Sequence, residues 1–249
     1  MHSRKYVDYF DPRRREPYII VPMLKKPMMS VPVEGATHAL PAFLGVIDLP
    51  RQVLMPFTDA ILRLWEPRHL CVVDTLLALP SEQRYVVVVH RDLANSCHGN
   101  VGLLVRIRTL TPTKPQGFSV DVECLDTVTM GSYKVGSTVE FRAVTPRVDS
   151  DTGALATNNR LDDLVQSVML LARMAKETNV EVGNLLHSMP HRRALLFRVA
   201  SLLIQDPAER MTFLSAASTS RRVDIVSLFV AQALQLMHRR KERDVQAER

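Results

Sequence analysis

His90, Cys97 and His98 come nearest, by type and spacing, to a metal site. A structural zinc needs four convergent imidazole, thiolate or carboxylate ligands, and no fourth is evident here, so a loop with a lone thiol is the simpler reading. His90 with Asp92 has the makings of an acid–base pair, but His-Arg-Asp at the end of a strand reads as a turn. Asp121, Glu123 and Asp126 lie on and just past another expected strand. Alternation turns Asp121 and Glu123 to the same outward face, a solvated edge rather than a catalytic pair. The nine glycines form neither a Gly-x-x-x-x-Gly-Lys-Ser/Thr phosphate loop nor a Gly-x-Ser-x-Gly elbow. The residues therefore predict no catalytic, cofactor or metal site, and a protein that is not an enzyme.

The cations are more suggestive. Of 32 basic residues, 25 are arginines and 7 lysines, for a net charge of +6. Guanidinium presents a planar fork to phosphate and carboxylate, so the bias suits anionic partners such as RNA. Candidate contacts are Arg13, Arg14, Arg15, Lys25, Lys26, Arg106, Arg108, Arg192, Arg193, Arg221, Arg222, Arg239, Arg240 and Lys241. Arg106 and Arg108 alternate with Val105 and Ile107 and share one face of a strand. Few aromatics are interleaved, which disfavours stacking on single strands and leaves contact with structured RNA open. A merely solvated basic surface is the competing reading.

Three regions hold these residues. In residues 1–39, Pro12, Pro17, Pro22, Pro27 and Pro32 recur every five positions. That density blocks helix and central strand and predicts an extended arm. The arm is nevertheless apolar, with Tyr9, Phe10, Tyr18, Ile19, Ile20, Met23, Met28 and Met29 as candidate partner contacts. It either lies on a partner or folds back over its own domain. Its cations suit an import signal, whereas Asp8, Asp11, Glu16 and the prolines spoil an amphipathic helix.

Residues 40–150 read as mostly β. Short strands flank a proline-bounded turn at Pro50–Pro56, and Leu70–Leu79 predicts a short helix ending before Pro80. Tyr85–Val89 is a β-branched run typical of a strand buried on both faces. Val101–Ile107, Phe118–Leu125 and Ser137–Val144 complete the strands, with Val86, Val88, Leu103 and Val105 in the core. Residues 151–249 switch to helical period. Asn158 or Asn159 is expected to cap the helix through Leu161–Ala175, with Asp162 and Asp163 in its first turn. Asp206-Pro207-Ala208-Glu209 is a strong helix start. The last helix is expected to finish in His238-Arg239-Arg240-Lys241, where cations suit its negative end.

The segment Leu40–His69 carries Leu49-Pro50, Val53-Leu54-Met55-Pro56, a strand and then Trp65-Glu66-Pro67-Arg68-His69. This order resembles the opening of the Lon protease amino-terminal domain, the LON substrate-binding domain with a PUA-like β-barrel. Phe57 stands where that family usually has glycine, and Trp65 and His69 are aromatic exchanges. Gly102 falls on a family glycine. Asn184-Leu185-Leu186, Phe213-Leu214-Ser215 and Arg222-Val223 match its helical motifs, so the resemblance spans roughly residues 40–240. It implies an α+β fold: a PUA-like β-barrel at 40–150, a helical bundle at 151–249 and an extended arm at 1–39. It also implies recognition of unfolded or tagged protein segments through apolar surface. The chain closes soon after its last expected helix, so a standalone module without the ATPase and peptidase domains is expected.

The expected function is thus a non-catalytic protein-binding or scaffold subunit of a larger assembly. The alternative is an RNA-associated subunit of a ribonucleoprotein such as a mitochondrial ribosome or its assembly intermediate. Three scattered cysteines fit a reducing compartment, either mitochondrial matrix or cytoplasm, with the matrix slightly preferred. No apolar run is long enough to insert in a membrane, and no small-molecule substrate is expected.

Overall fold

The computed structural model describes residues 40, 43–50, 52–90, 100–114, 116–133, 141–147, 149–151, 155–174 and 192–247. Its strands are β1 (Phe43–Leu49), β2 (Thr58–Leu64), β3 (Tyr85–His90), β4 (Val101–Thr113), β5 (Gly117–Tyr133) and β6 (Phe141–Pro146). The helices are α1 (Pro67–Leu77), α2 (Leu155–Met174), α3 (Arg192–Leu203), α4 (Pro207–Ser215) and α5 (Thr219–Ala247). The result is a mixed six-stranded sheet with helices, an α+β fold.

β1 pairs with β3 in parallel and with β6 antiparallel. β3, β4 and β5 follow antiparallel. β5 is long enough to serve two neighbours along one edge. Its first half pairs with β2 and its second half with β6. The pairings β5-β4-β3-β1-β6 therefore return to β5, and β2 lies outside that ring.

Every residue of β3 is buried, as its β-branched run predicts. The pleat sends Val86 and Val88 into one apolar cluster with Leu103, Val105 and Val72 of α1. It sends Tyr85, Val87 and Val89 into another with Leu44, Leu104 and Val128. Gly102 is required by this packing, because a Cβ there would stand 2.3 Å from Val87 Cγ1.

A third cluster belongs to the helices, with Leu164, Phe197, Phe213 and Val226, and admits Val53 and Met55 from the connection between β1 and β2. α2 and α5 run in the same direction, for Thr157 meets Ser220 and Arg160 meets Asp224 further along both. The expected α4 start is present: Asp206 accepts from the N–H groups of Ala208 and Glu209 at 2.9 and 3.0 Å, with Pro207 opening the helix.

Several expected boundaries move. α2 begins before Asn158 and Asn159, which lie inside it and do not cap it, and Asp162 and Asp163 are past its first turn. The anchoring contacts are made by Thr157, whose hydroxyl reaches Asp151 at 3.1 Å and Ser220 of α5 at 2.9 Å. α5 runs on through the His238–Lys241 run to Ala247, so those cations do not close it. No glycine or proline follows to break the helix, and Glu242 meets His238 one turn on. β5 continues well beyond Leu125, and the described part of the last strand begins at Phe141. The short helical motif at Asn184–Leu186 lies outside the described residues.

Candidate protein-docking face

The turn before β2 sets its register. Phe57 adopts φ 59°, the left-handed region in which glycine costs least, and its N–H donates to the Cys124 carbonyl at 2.8 Å. The resemblance places a glycine here, and the chain keeps that backbone geometry with a phenylalanine. The ring packs on Phe197, with centroids 5.7 Å apart. Thr58 Oγ donates to the Met55 carbonyl at 2.6 Å and closes the turn.

From this start β2 alternates. Leu62 and Leu64 are buried, while Asp59, Ile61, Arg63 and the following Trp65 face outward. Ile61 and Trp65 are 67% and 64% exposed. β2 pairs with β5 on one side, and no described strand pairs with its other side. Asp59 and Arg63 supply the charge with which edge strands are commonly defended, and Ile61 and Trp65 stand exposed between and beyond them.

Trp65 leads directly into the hydrogen-bonded start of α1. Pro67 opens α1, and His69 and Leu70 donate backbone N–H groups to the Glu66 carbonyl at 2.9 and 3.0 Å. Asp48 at the end of β1 accepts from His69 at 2.8 Å and from Arg68 at 2.8 Å, and Arg68 also holds Glu66. Asp48, Glu66 and His69 are close enough to share a cation. Here the Arg68 guanidinium bridges both carboxylates, so the cluster is an ion-pair clamp. Glu66-Pro67-Arg68-His69 thus opens α1 and ties it to the end of β1.

The carboxylates of β5 are not on a sheet edge as expected, because β5 has β4 on one side and β2 on the other. Glu123 pairs with Arg106 and lies 3.5 Å from Arg108, which reaches Asp59 at 3.1 Å. Asp126 is buried and takes a two-pronged contact from Arg193, both distances 2.8 Å. These acids neutralise arginines rather than form an acid–base pair.

That outcome also divides the candidate anion contacts. Arg106, Arg108 and Arg193 are engaged with carboxylates. Arg222 is a clear correction: it is 0% exposed, pairs with Asp149, and donates to the Phe213, Leu214 and Ala216 carbonyls at 3.2, 3.2 and 2.9 Å. It cannot touch a phosphate without unfolding its surroundings. Arg221, Arg239 and Arg240 are exposed on α5, and Arg192 and Lys241 lie on α3 and α5. Arg13, Arg14, Arg15, Lys25 and Lys26 fall outside the described residues, as do all the candidate arm contacts from Tyr9 to Met29 and the thiol and imidazole of Cys97 and His98.

Residues missed by pattern reading organise the helical half. Arg147 donates to the Leu214 and Ala216 carbonyls at 2.8 and 2.9 Å, closing the end of α4. Asp151 caps α5, accepting from the Thr219 and Ser220 N–H groups at 2.7 and 2.8 Å. Burial alone would raise its pKa, but the hydrogen bonds from Ser220, Thr219 and Thr157 prevail and hold it near 2. Arg210 ties the Val53, Ser201 and Ile204 carbonyls together. The Asp-Ser-Asp run at 149–151 is the only signal that hints at these caps. His90 is buried beside a small apolar pocket lined by Val89, Val101, Met211 and Leu214, and no described residue bonds its Nδ1. Burial pushes the Cys124 thiol up to about 12, so it is an inert core group.

The fold has counterparts among solved structures. The N-terminal domain of a Mycobacterium avium complex Lon protease superposes with a TM-score of 0.62 at 13% identity, covering 76% of this chain and 98% of that one. A Lon N-terminal domain protein from Xanthomonas campestris aligns with a TM-score of 0.47 at 17% identity, over 73% and 95% of the two chains. No protein-family model and no curated protein sequence matches. The molecule is an α+β protein with a mixed sheet and attached helices. Its fold is that of the Lon amino-terminal domain. No helix among the described residues is long and apolar enough to cross a membrane.

Proposed function

We propose that this protein is a non-catalytic binding module that docks polypeptide through the outer face of β2. The observation that carries this reading is the pair Ile61 and Trp65, exposed on one outward face either side of Arg63, along a strand edge that no described strand pairs. Apolar side chains supply desolvation energy, and an indole at the centre of a patch is the kind of anchor that dominates interfaces. The flanking pair Arg108–Asp59 gives the patch a polar rim. The closed ring of pairings serves as a PUA-like barrel and the helices as its bundle, with the arm at 1–39 as a separate segment. Native purification tests the reading. The full chain should recover a protein partner that an Ile61→Ser/Trp65→Ser variant loses, and undiminished recovery by the variant would contradict it.

A second reading, an RNA-associated subunit, is favoured by the exposed Arg221, Arg239 and Arg240 on α5. Phosphate contacts strengthen as salt falls, so RNA should be retained at low salt and released as salt rises. An absence of retention at low salt removes this alternative.

A further inference from the structure

The backbone groups of β2 divide between its two sides. Leu62 and Leu64 are 2% and 1% exposed, and a Cβ on Gly117 of β5 would stand 2.6 Å from the Leu64 carbonyl oxygen. The N–H and C=O groups of these leucines therefore point to β5. Alternation turns those of Asp59, Ile61 and Arg63 to the outer edge. No described strand takes up that edge, and Thr58–Leu64 has no proline to interrupt an added strand.

The same three residues carry exposed side chains, and their order is complementary to itself. When two copies of β2 run antiparallel about a two-fold axis through Ile61, Asp59 of each faces Arg63 of the other and Ile61 faces Ile61. All three positions then form pairs that exchange N–H and C=O groups. Moving the axis to Ala60 or Leu62 keeps the backbone groups in step but sets both charges against Ile61, Phe57 or Trp65. Moving it further, to Asp59 or Arg63, sets like charges together. Charges that deter strands in general here select one partner and one register. The rest of the face does not oppose the contact, because β5 and β4 add Asp121 and Glu123 against Arg106 and Arg108. Arg108 already reaches Asp59 at 3.1 Å, but the Asp59 side chain is 62% exposed and has room for a second guanidinium. Arg63 stands opposite Ser119, with Asp121 one pair along, opposite Ile61, so no acid lies directly across from it.

We propose that two copies of this chain pair through the outer edges of β2, antiparallel about Ile61, and so join their sheets. The pairing leaves the outward face open and brings the two Ile61 side chains together on it, so it stands whether or not that face docks polypeptide. Sedimentation velocity on the full chain tests it. The interface is small, so the parent should dimerise at high micromolar protein rather than tightly. Asp59→Arg and Arg63→Asp each set like charges opposite one another at both ends of the contact, and each should weaken the dimer about tenfold. Both side chains are exposed, so far-UV circular dichroism of each variant should match the parent's. An equimolar mixture of the two variants restores both opposite-charge pairs in a heterodimer and should recover the parent's association. A parent that stays monomeric at these concentrations, variants that dimerise as it does, or a mixture that associates no better than its components would each overturn the proposal.

Discussion

Arg222 and Asp149 form a buried ion pair whose members lie far apart in sequence. Removing one partner strands the other charge without water, which costs about 3–5 kcal/mol. Arg222→Ala should therefore lower the urea midpoint strongly, and Arg222→Met combined with Asp149→Leu should regain much of the loss. A single variant as stable as the parent would show that the pair is not buried in solution. Phe57 offers a sharper comparison. Phe57→Ala and Phe57→Gly both lose the ring on Phe197, but only alanine keeps the cost of φ 59°. The glycine variant should be the more stable of the two by about 1 kcal/mol, measured by denaturant unfolding. Asp151 links stability to acid. Its folded pKa, near 2, lies below the usual 3.8, so its contribution is complete above 3.8 and is lost as pH falls from there through 2. Asp151→Asn should flatten that part of the stability profile, and an unchanged acid slope would contradict the capping geometry. The role of Arg222 was not visible in the residues alone, because a buried arginine and a phosphate-binding arginine read alike until the partner is known.

Strands and helices were more legible than their contacts. β3 followed from its unbroken β-branched run, and α4 from Asp206 and Pro207, because both signals are local. The starts of α2 and α5 were not, since Thr157 meets Ser220 and Asp151 caps α5 across long sequence separations. The length of β5 was likewise hidden: Asp126 and Thr127 look like a strand end, yet Arg193 satisfies the carboxylate and the strand continues. Gly102 shows where a resembled motif has a physical reason. Gly102→Ala would drive a Cβ into Val87 within the β3–β4 ladder, and overpacking of this kind costs about 1–3 kcal/mol. Thermal unfolding of that variant should show the loss, and an unchanged midpoint would mean that β4 shifts freely.

The sheet and the helices share more than a boundary. Val53 and Met55 enter the helical core, Phe57 packs beside it, and Arg147, Arg193 and Arg210 bond across between the two parts. They should unfold in a single transition, with infrared amide bands for the sheet and far-UV circular dichroism for the helices changing together; separate midpoints would contradict it. What this framework holds out is the β2 face, which resemblance did not locate because its matching positions shape turns. Trp65 is the chain's single tryptophan and is largely exposed, so its emission reports directly on that face. Titrating the full chain with a permanently unfolded polypeptide lacking tryptophan should shift Trp65 emission to the blue and shield it from a soluble quencher. Saturated binding with unchanged emission, or no binding, would contradict docking at Ile61 and Trp65.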